Sequence, residues 1–137
     1  MKYRVYDTKT NKYVTDDYDW IITPSGHLYI NLYGGDNRPI PGNTDYQPNC
    51  IAEFSTGEVD KNGVEIFEGD VVSMPAWRGG KWNAAVYFKG GKFAVNGSNY
   101  GFKDLKSRVY EIVGTIHDSK GSVSPRSRSN LEYTSDL

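Results

Sequence analysis

The chain has 137 residues, of which 37% are hydrophobic and 24% charged, with a net charge of −1. That length can bury one real core, and that balance excludes a disordered chain; no apolar run approaches the length of a spanning helix. A lone cysteine, Cys50, excludes an intramolecular disulfide, and the opening Met1-Lys2-Tyr3-Arg4 lacks the apolar core of a signal peptide, so a reducing cytoplasm is the expected compartment.

In chain order, Lys2 to Tyr6 alternates and predicts a strand paired with Lys12 to Thr15 across the turn Asp7 to Asn11. Trp20 to Thr23 predicts a third strand, stopped by Pro24-Ser25-Gly26. His27 to Tyr33 sets Leu28, Ile30 and Leu32 against His27, Tyr29 and Asn31, a half-buried strand pattern. Gly34 to Asn49 holds three prolines and three glycines and predicts a long loop. Trp82 to Phe88, Lys92 to Val95 and Arg108 to Ile116 predict further strands, with Gly90-Gly91 and Asn96-Gly97 as hairpin turns. Phe102 to Ser107 fits one helical turn. Residues 1–118 are expected to form a single β-rich domain, and the Ser-rich segment 119–137 a flexible tail.

Between these lies DKNGVEIFEGDVV, from Asp60 to Val72. Asp60, Asn62 and Gly63 are turn residues, and Val64, Ile66, Val71 and Val72 form short β-branched runs. The break Glu68-Gly69-Asp70 suits a chain swinging into a small barrel. The fold class expected is all-β: an SH3-like or partly open β-barrel with an N-terminal β-hairpin extension.

This stretch resembles the central signature of the YopX-like proteins of phages and prophages. Tyr3 to Val14, YRVYDTKTNKYV, resembles that family's N-terminal strand, basic turn and second strand. Tyr110 to Asp118, YEIVGTIHD, resembles its closing strand, with Thr115 where the family usually has Asn. The chain departs from the pattern at Glu58, where an apolar residue is usual. The resemblance implies a phage origin, a β-rich fold and a homo-oligomer, with no activity attached. The opening KYRVYDTKTNKYVTDDYDWIITP also resembles that of phage anti-Thoeris sponges, small β-rich oligomers that sequester a cyclic ADP-ribose-type immune signal without cleaving it.

The small net charge conceals segregation. Asp16 to Asp70 carries eleven acids against two bases, and Pro75 to Arg108 seven bases against one acid. Either the two segments lie against each other, within or between subunits, or the basic one receives an anionic ligand.

Catalytic patterns are absent from the sequence. Glu58-x-Asp60-x-Asn62-Gly63 begins like a calcium loop, but its twelfth position is Gly69 rather than a bidentate Glu. His27 and His117 are isolated and read as strand residues, and Cys50 as an inert thiol. Asn96-Gly97-Ser98 fits a glycosylation sequon and, without a secretory signal, is a turn. No enzyme, no metal and no cofactor are expected.

The remaining constellation is Trp77-Arg78-Gly79-Gly80-Lys81-Trp82. Indoles stack on bases, Arg forks onto phosphate, and glycines admit close backbone approach. Asn96, Asn99 and Tyr100 would read a base or ribose, and Arg108 would add a second cation. The candidate ligand-binding set is therefore Trp77, Arg78, Trp82, Asn96, Asn99, Tyr100 and Arg108. Against this, Trp82 alternates with Ala84 and Val86 as a core residue would, and Trp77 near Pro75 fits an oligomer contact.

The function expected is sequestration of a small, anionic, nucleotide-like ligand. An alternative is a protein-binding inhibitor or scaffold acting through the acidic face. Continuous nucleic acid is disfavoured by the acidic balance, and no membrane partner is expected.

Overall fold

The structure is a computed structural model that describes residues 2–33, 39–76, 79–97, 101–105, 108–118 and 133–134. Among these every regular element is a strand, as the all-β expectation requires. The chain divides into two compact units, residues 1–52 with 129–137, and residues 53–128.

In the first unit, β1 (Lys2–Asp7) and β2 (Lys12–Tyr13) form the expected hairpin. The Asp7 carboxylate accepts the Lys9 and Thr10 N–H groups, and Asn11 supplies the left-handed residue (φ 58°) of the turn. Tyr6 and Tyr13 pack edge to face at 5.0 Å. A three-stranded antiparallel sheet follows in the order β3 (Trp20–Ile22), β4 (Leu28–Tyr33), β5 (Pro39–Tyr46).

β5 corrects the reading of Gly34 to Asn49 as a loop. It is an edge strand, where a proline's missing N–H costs no ladder bond, and a register shift after Asn31 absorbs the irregularity. The tail is described at β13 (Tyr133–Thr134), which pairs antiparallel with Tyr3 and Lys2 of β1.

β6 (Cys50–Val59) contains the boundary between the units, at Ala52/Glu53. No strand is predicted there, for a physical reason. Its buried positions include Glu53 and Ser55 while Ile51 is exposed, the inverse of a hydrophobic alternation.

In the second unit β6 pairs with β7 (Glu65–Phe67), with a register shift at Gly57 (φ 78°). Then comes a five-stranded antiparallel sheet, ordered β11 (Gly101–Asp104), β10 (Lys92–Gly97), β9 (Lys81–Lys89), β8 (Asp70–Pro75), β12 (Glu111–Thr115), curled into a half-barrel. Gly90 and Gly91 both have positive φ, as the predicted β9–β10 turn requires.

Two expectations fail here. Asn96-Gly97 is strand rather than turn, since Gly97 pairs with Gly101. The proposed helical turn from Phe102 is β11, because Ala94 to Gly97 offer it a ladder.

The concave face holds the core. Ile112, Val72 and Ala84 lie abreast on β12, β8 and β9, with Val86 and Val95 paired beyond them and Ile66 and Tyr110 closing the cluster. Each fully buried Val or Ile contributes roughly 1.5–3 kcal/mol. No helix among the described residues is long and apolar enough to cross a membrane.

Candidate functional site

Strand alternation sorts the second unit's polar residues by face. Glu111, Ser73 and Asn83 lie abreast on the convex face of β12, β8 and β9. Lys81 is two residues before Asn83 on that face, and Asn96 is abreast of Ala85, two residues after it. Lys61, in the turn of the Asp60 signature, meets Glu111 at 2.6 Å. Glu111 is held below the ordinary carboxylate range by the Lys61 hydrogen bond and charge, with the charge of Lys81 adding to them.

Arg108 joins this group through the backbone. Its N–H donates to the Val59 carbonyl at 3.0 Å, and the Lys61 N–H to the Tyr110 carbonyl at 2.8 Å, so the two cations rise from adjoining turns. Arg108 is exposed and left-handed (φ 71°), a conformation that breaks the chain before β12 and shortens the strand predicted from Arg108. The result is a convex, solvent-facing patch in which Lys61 and Lys81 act on the Glu111 carboxylate, with Arg108 on the adjoining turn and two amides on the same sheet face.

The predicted binding set is thereby divided. Asn96 and Arg108 are exposed. Trp82 lies across from Met74 on the concave side and packs against the core cluster, so it and Asn96 point to opposite faces. Trp77, Arg78, Asn99 and Tyr100 lie outside the described residues. Lys61, Asn83 and Glu111 were not predicted, and Lys81 was part of the Trp77–Trp82 constellation without entering the binding set. For Lys81 and Asn83 the signal was available as strand parity, since they alternate with Trp82 and Ala84.

A second polar group is internal. The Glu53 carboxylate on β6 meets His117 Nε2 at 2.7 Å, with side chains 4% and 10% exposed. His117 is therefore no plain strand residue. It sits in the turn after β12, which is fixed by Asp118 accepting the Thr115 N–H at 2.8 Å and by the Thr115 hydroxyl accepting the His117 N–H at 3.2 Å. Burial, with Glu53 nearby, pushes the Glu68 carboxyl above the ordinary range, while a hydrogen bond from the Phe54 N–H opposes the rise.

The other buried acids of this unit hold backbone. Asp60, 1% exposed, accepts N–H groups of Asn62, Val64 and Ile112 at 2.9, 2.9 and 3.1 Å. Asp70 accepts the Phe67 N–H at 2.8 Å. No three His, Cys, Asp or Glu side chains among the described residues are placed to hold a metal ion.

His27 precedes β4, with Nδ1 3.0 Å from the Ser25 hydroxyl and its ring edge-on to Tyr46. Cys50 is half-buried, and its thiol is pushed up to about 11, first by burial and then by Asp7, which disfavours the reactive thiolate.

Fold and surface together define a small all-β protein built on a curled antiparallel half-barrel with a polar convex patch. The family model described as YopX protein matches residues 2–121, and the chain belongs to that family. Its fold is similar to the crystal structure of yopX from Bacillus subtilis, at TM-score 0.56 and 19% identity, covering 86% of this chain and 94% of that one. It is also similar to protein EF1440 from Enterococcus faecalis, at TM-score 0.55 and 21% identity, covering 87% and 94%. No curated protein matches the chain.

Proposed function

We propose that the protein is a phage-encoded, non-enzymatic binder that sequesters a small nucleotide-derived immune signal of the cyclic ADP-ribose type. It would act in the host cytoplasm as a homo-oligomer. The observation that carries this reading is the placement of Lys61 and Lys81 by Glu111, with Arg108 on the turn adjoining that of Lys61. A pyrophosphate entering there competes with Glu111 for Lys61 and gains the two other cations. Asn83 and Asn96, on the same face, offer paired donors and acceptors to a ribose or base. Trp82 has no part in this version of the site, since its ring belongs to the concave side.

The non-catalytic reading draws support from what the buried acids do. Asp60 and Asp70 are committed to backbone N–H groups, and Glu53 to His117. The ligand is therefore expected back intact.

Titration calorimetry with ADP-ribose and cyclic ADP-ribose tests the reading. Binding is expected to weaken at least tenfold in the Lys61→Glu/Lys81→Glu variant and to fall with added salt. Absence of binding to both probes, or equal affinity in the variant, refutes it. Heat-denatured protein from expressing cells should also release an ultraviolet-absorbing small molecule with its covalent structure unchanged.

A further inference from the structure

The first unit contains a cleft of about 560 Å³ whose chemistry is opposite to that of the convex patch. One wall is the β1–β2 hairpin and the segment that leaves it, supplying Asp7, Tyr13 and Thr15. The floor is one face of the three-stranded sheet, where Trp20, Ile30 and Asp45 lie abreast on β3, β4 and β5. Tyr18 stands at the rim, edge-on to Trp20 at 5.8 Å and 85°.

Tyr18 and Leu32 remain 43% and 38% exposed, so this apolar lining is only partly covered by the fold. The volume falls within the range of small-molecule sites, roughly 300–1,000 Å³.

Charge decides which class of molecule suits the cleft. Three carboxylates, Asp7, Asp16 and Asp45, face one ammonium, Lys12. Two titrating groups register the resulting field. The Cys50 thiol in the lining is raised by burial and then by Asp7, and the Tyr18 phenol by the charge and hydrogen bond of Asp16. A phosphate or carboxylate ligand would meet repulsion there. An ammonium group meets both carboxylates and the electron-rich faces of indole and phenol rings, a pairing that recognises amines and quaternary ammonium ions.

Asp45 also accepts the Gln47 side-chain N–H at 3.1 Å, which orients the two groups in the lining.

We propose that this cleft is a binding site for a small organic cation, held by ion pairing to Asp7 and Asp45 and by cation–π contact with Trp20 and Tyr18. It is separate from the site proposed on the second unit and does not depend on it. Nothing is transformed: binding is reversible, and the cation leaves as it entered.

Titration calorimetry and Trp fluorescence with spermidine and choline, at low salt, test the site. At least one probe should bind saturably and quench or shift Trp fluorescence. Asp45→Asn, which keeps the shape and an amide partner for Gln47, is expected to weaken binding about tenfold, as removal of one close charge pair in a partly desolvated site would. Tyr18→Leu should weaken it severalfold while leaving the melting temperature in place, because Tyr18 is at the rim. Trp20→Ala abolishes it, and circular dichroism distinguishes loss of the site from loss of fold.

Failure of both probes to bind overturns the proposal. So does binding of unchanged affinity in both Asp45→Asn and Tyr18→Leu, which would mark surface association. The outcome is independent of ADP-ribose binding, since Lys61→Glu/Lys81→Glu leaves every cleft residue intact.

Discussion

Gly69 makes room for Glu53. With φ at 88°, Gly69 turns the chain into β8, and a Cβ built on it would collide with the Glu53 carboxylate. Its N–H donates to the Val86 carbonyl and its carbonyl accepts the Ile116 N–H, so the backbone is pinned on both sides. Gly69→Ala therefore combines left-handed strain with displacement of the buried Glu53–His117 pair. A loss of about 3 kcal/mol or more is expected in urea unfolding. A loss under about 1 kcal/mol would mean that Glu53 relocates easily.

The pair itself is open to a double-mutant cycle. His117→Ala should cost about 3 kcal/mol, because it removes a partner from a carboxylate already withdrawn from water. Combining it with Glu53→Gln should cost less than the sum of the single changes, and simple additivity would show that the two side chains are energetically independent.

Glu68 gives the pH dependence a sign. Burial, aided by Glu53, raises its folded pKa, so the folded chain holds this proton more tightly than the unfolded chain does. Its contribution is thus present below the ordinary carboxylate range and is lost as pH rises through the raised folded value. Glu68→Gln should melt above the parent at pH 7, with the advantage shrinking on acidification and gone by about pH 4. Melting curves across that range that stay parallel would overturn the assignment.

Asp60 carries three backbone N–H groups, one of them 52 residues away on β12. Asp60→Ala should cost about 3 kcal/mol, at about 1 kcal/mol for each abandoned donor. Hydrogen exchange should show the Ile112 amide losing protection before the amides of β9 and β10.

Cys50 offers a chemical check on the first unit. With a thiol at about 11, alkylation should be slow at pH 8 and should rise about tenfold per pH unit until the thiol titrates. Asp7→Asn should speed the reaction at fixed pH, and an unchanged rate would remove Asp7 as a cause.

Much of this architecture was legible because the residues behind it act locally. The Asp60–Gly63 turn, the Gly90-Gly91 hairpin and the β8–β9–β10 alternation each follow from neighbours in sequence. β6 and β5 were hidden for opposite reasons. β6 buries Ser55 and Glu53, polar residues where an apolar alternation would be expected, and the Glu53 partner His117 comes from elsewhere in the chain, while β5 carries prolines that only an edge position tolerates. The convex patch was half-visible: Arg108 and Asn96 were identified from their chemistry, whereas Lys61 joins them through a turn that no spacing rule connects. The His117 contact with Glu53 spans 64 residues, so neither residue announces the other.

The strand order has a consequence for how the molecule is made. β12 pairs with β8 only after β9, β10 and β11 have been laid down on the other side. A nascent chain that has emerged as far as β11 therefore presents the outer margin of β8 unpaired, with the Asp60 turn lacking its distant amide. Until Glu111 to Thr115 leave the ribosome, that margin can accept a strand from a neighbouring chain as readily as its own. Synthesis at high local density, as on a crowded polysome, is where exchange of the last strand between copies would begin.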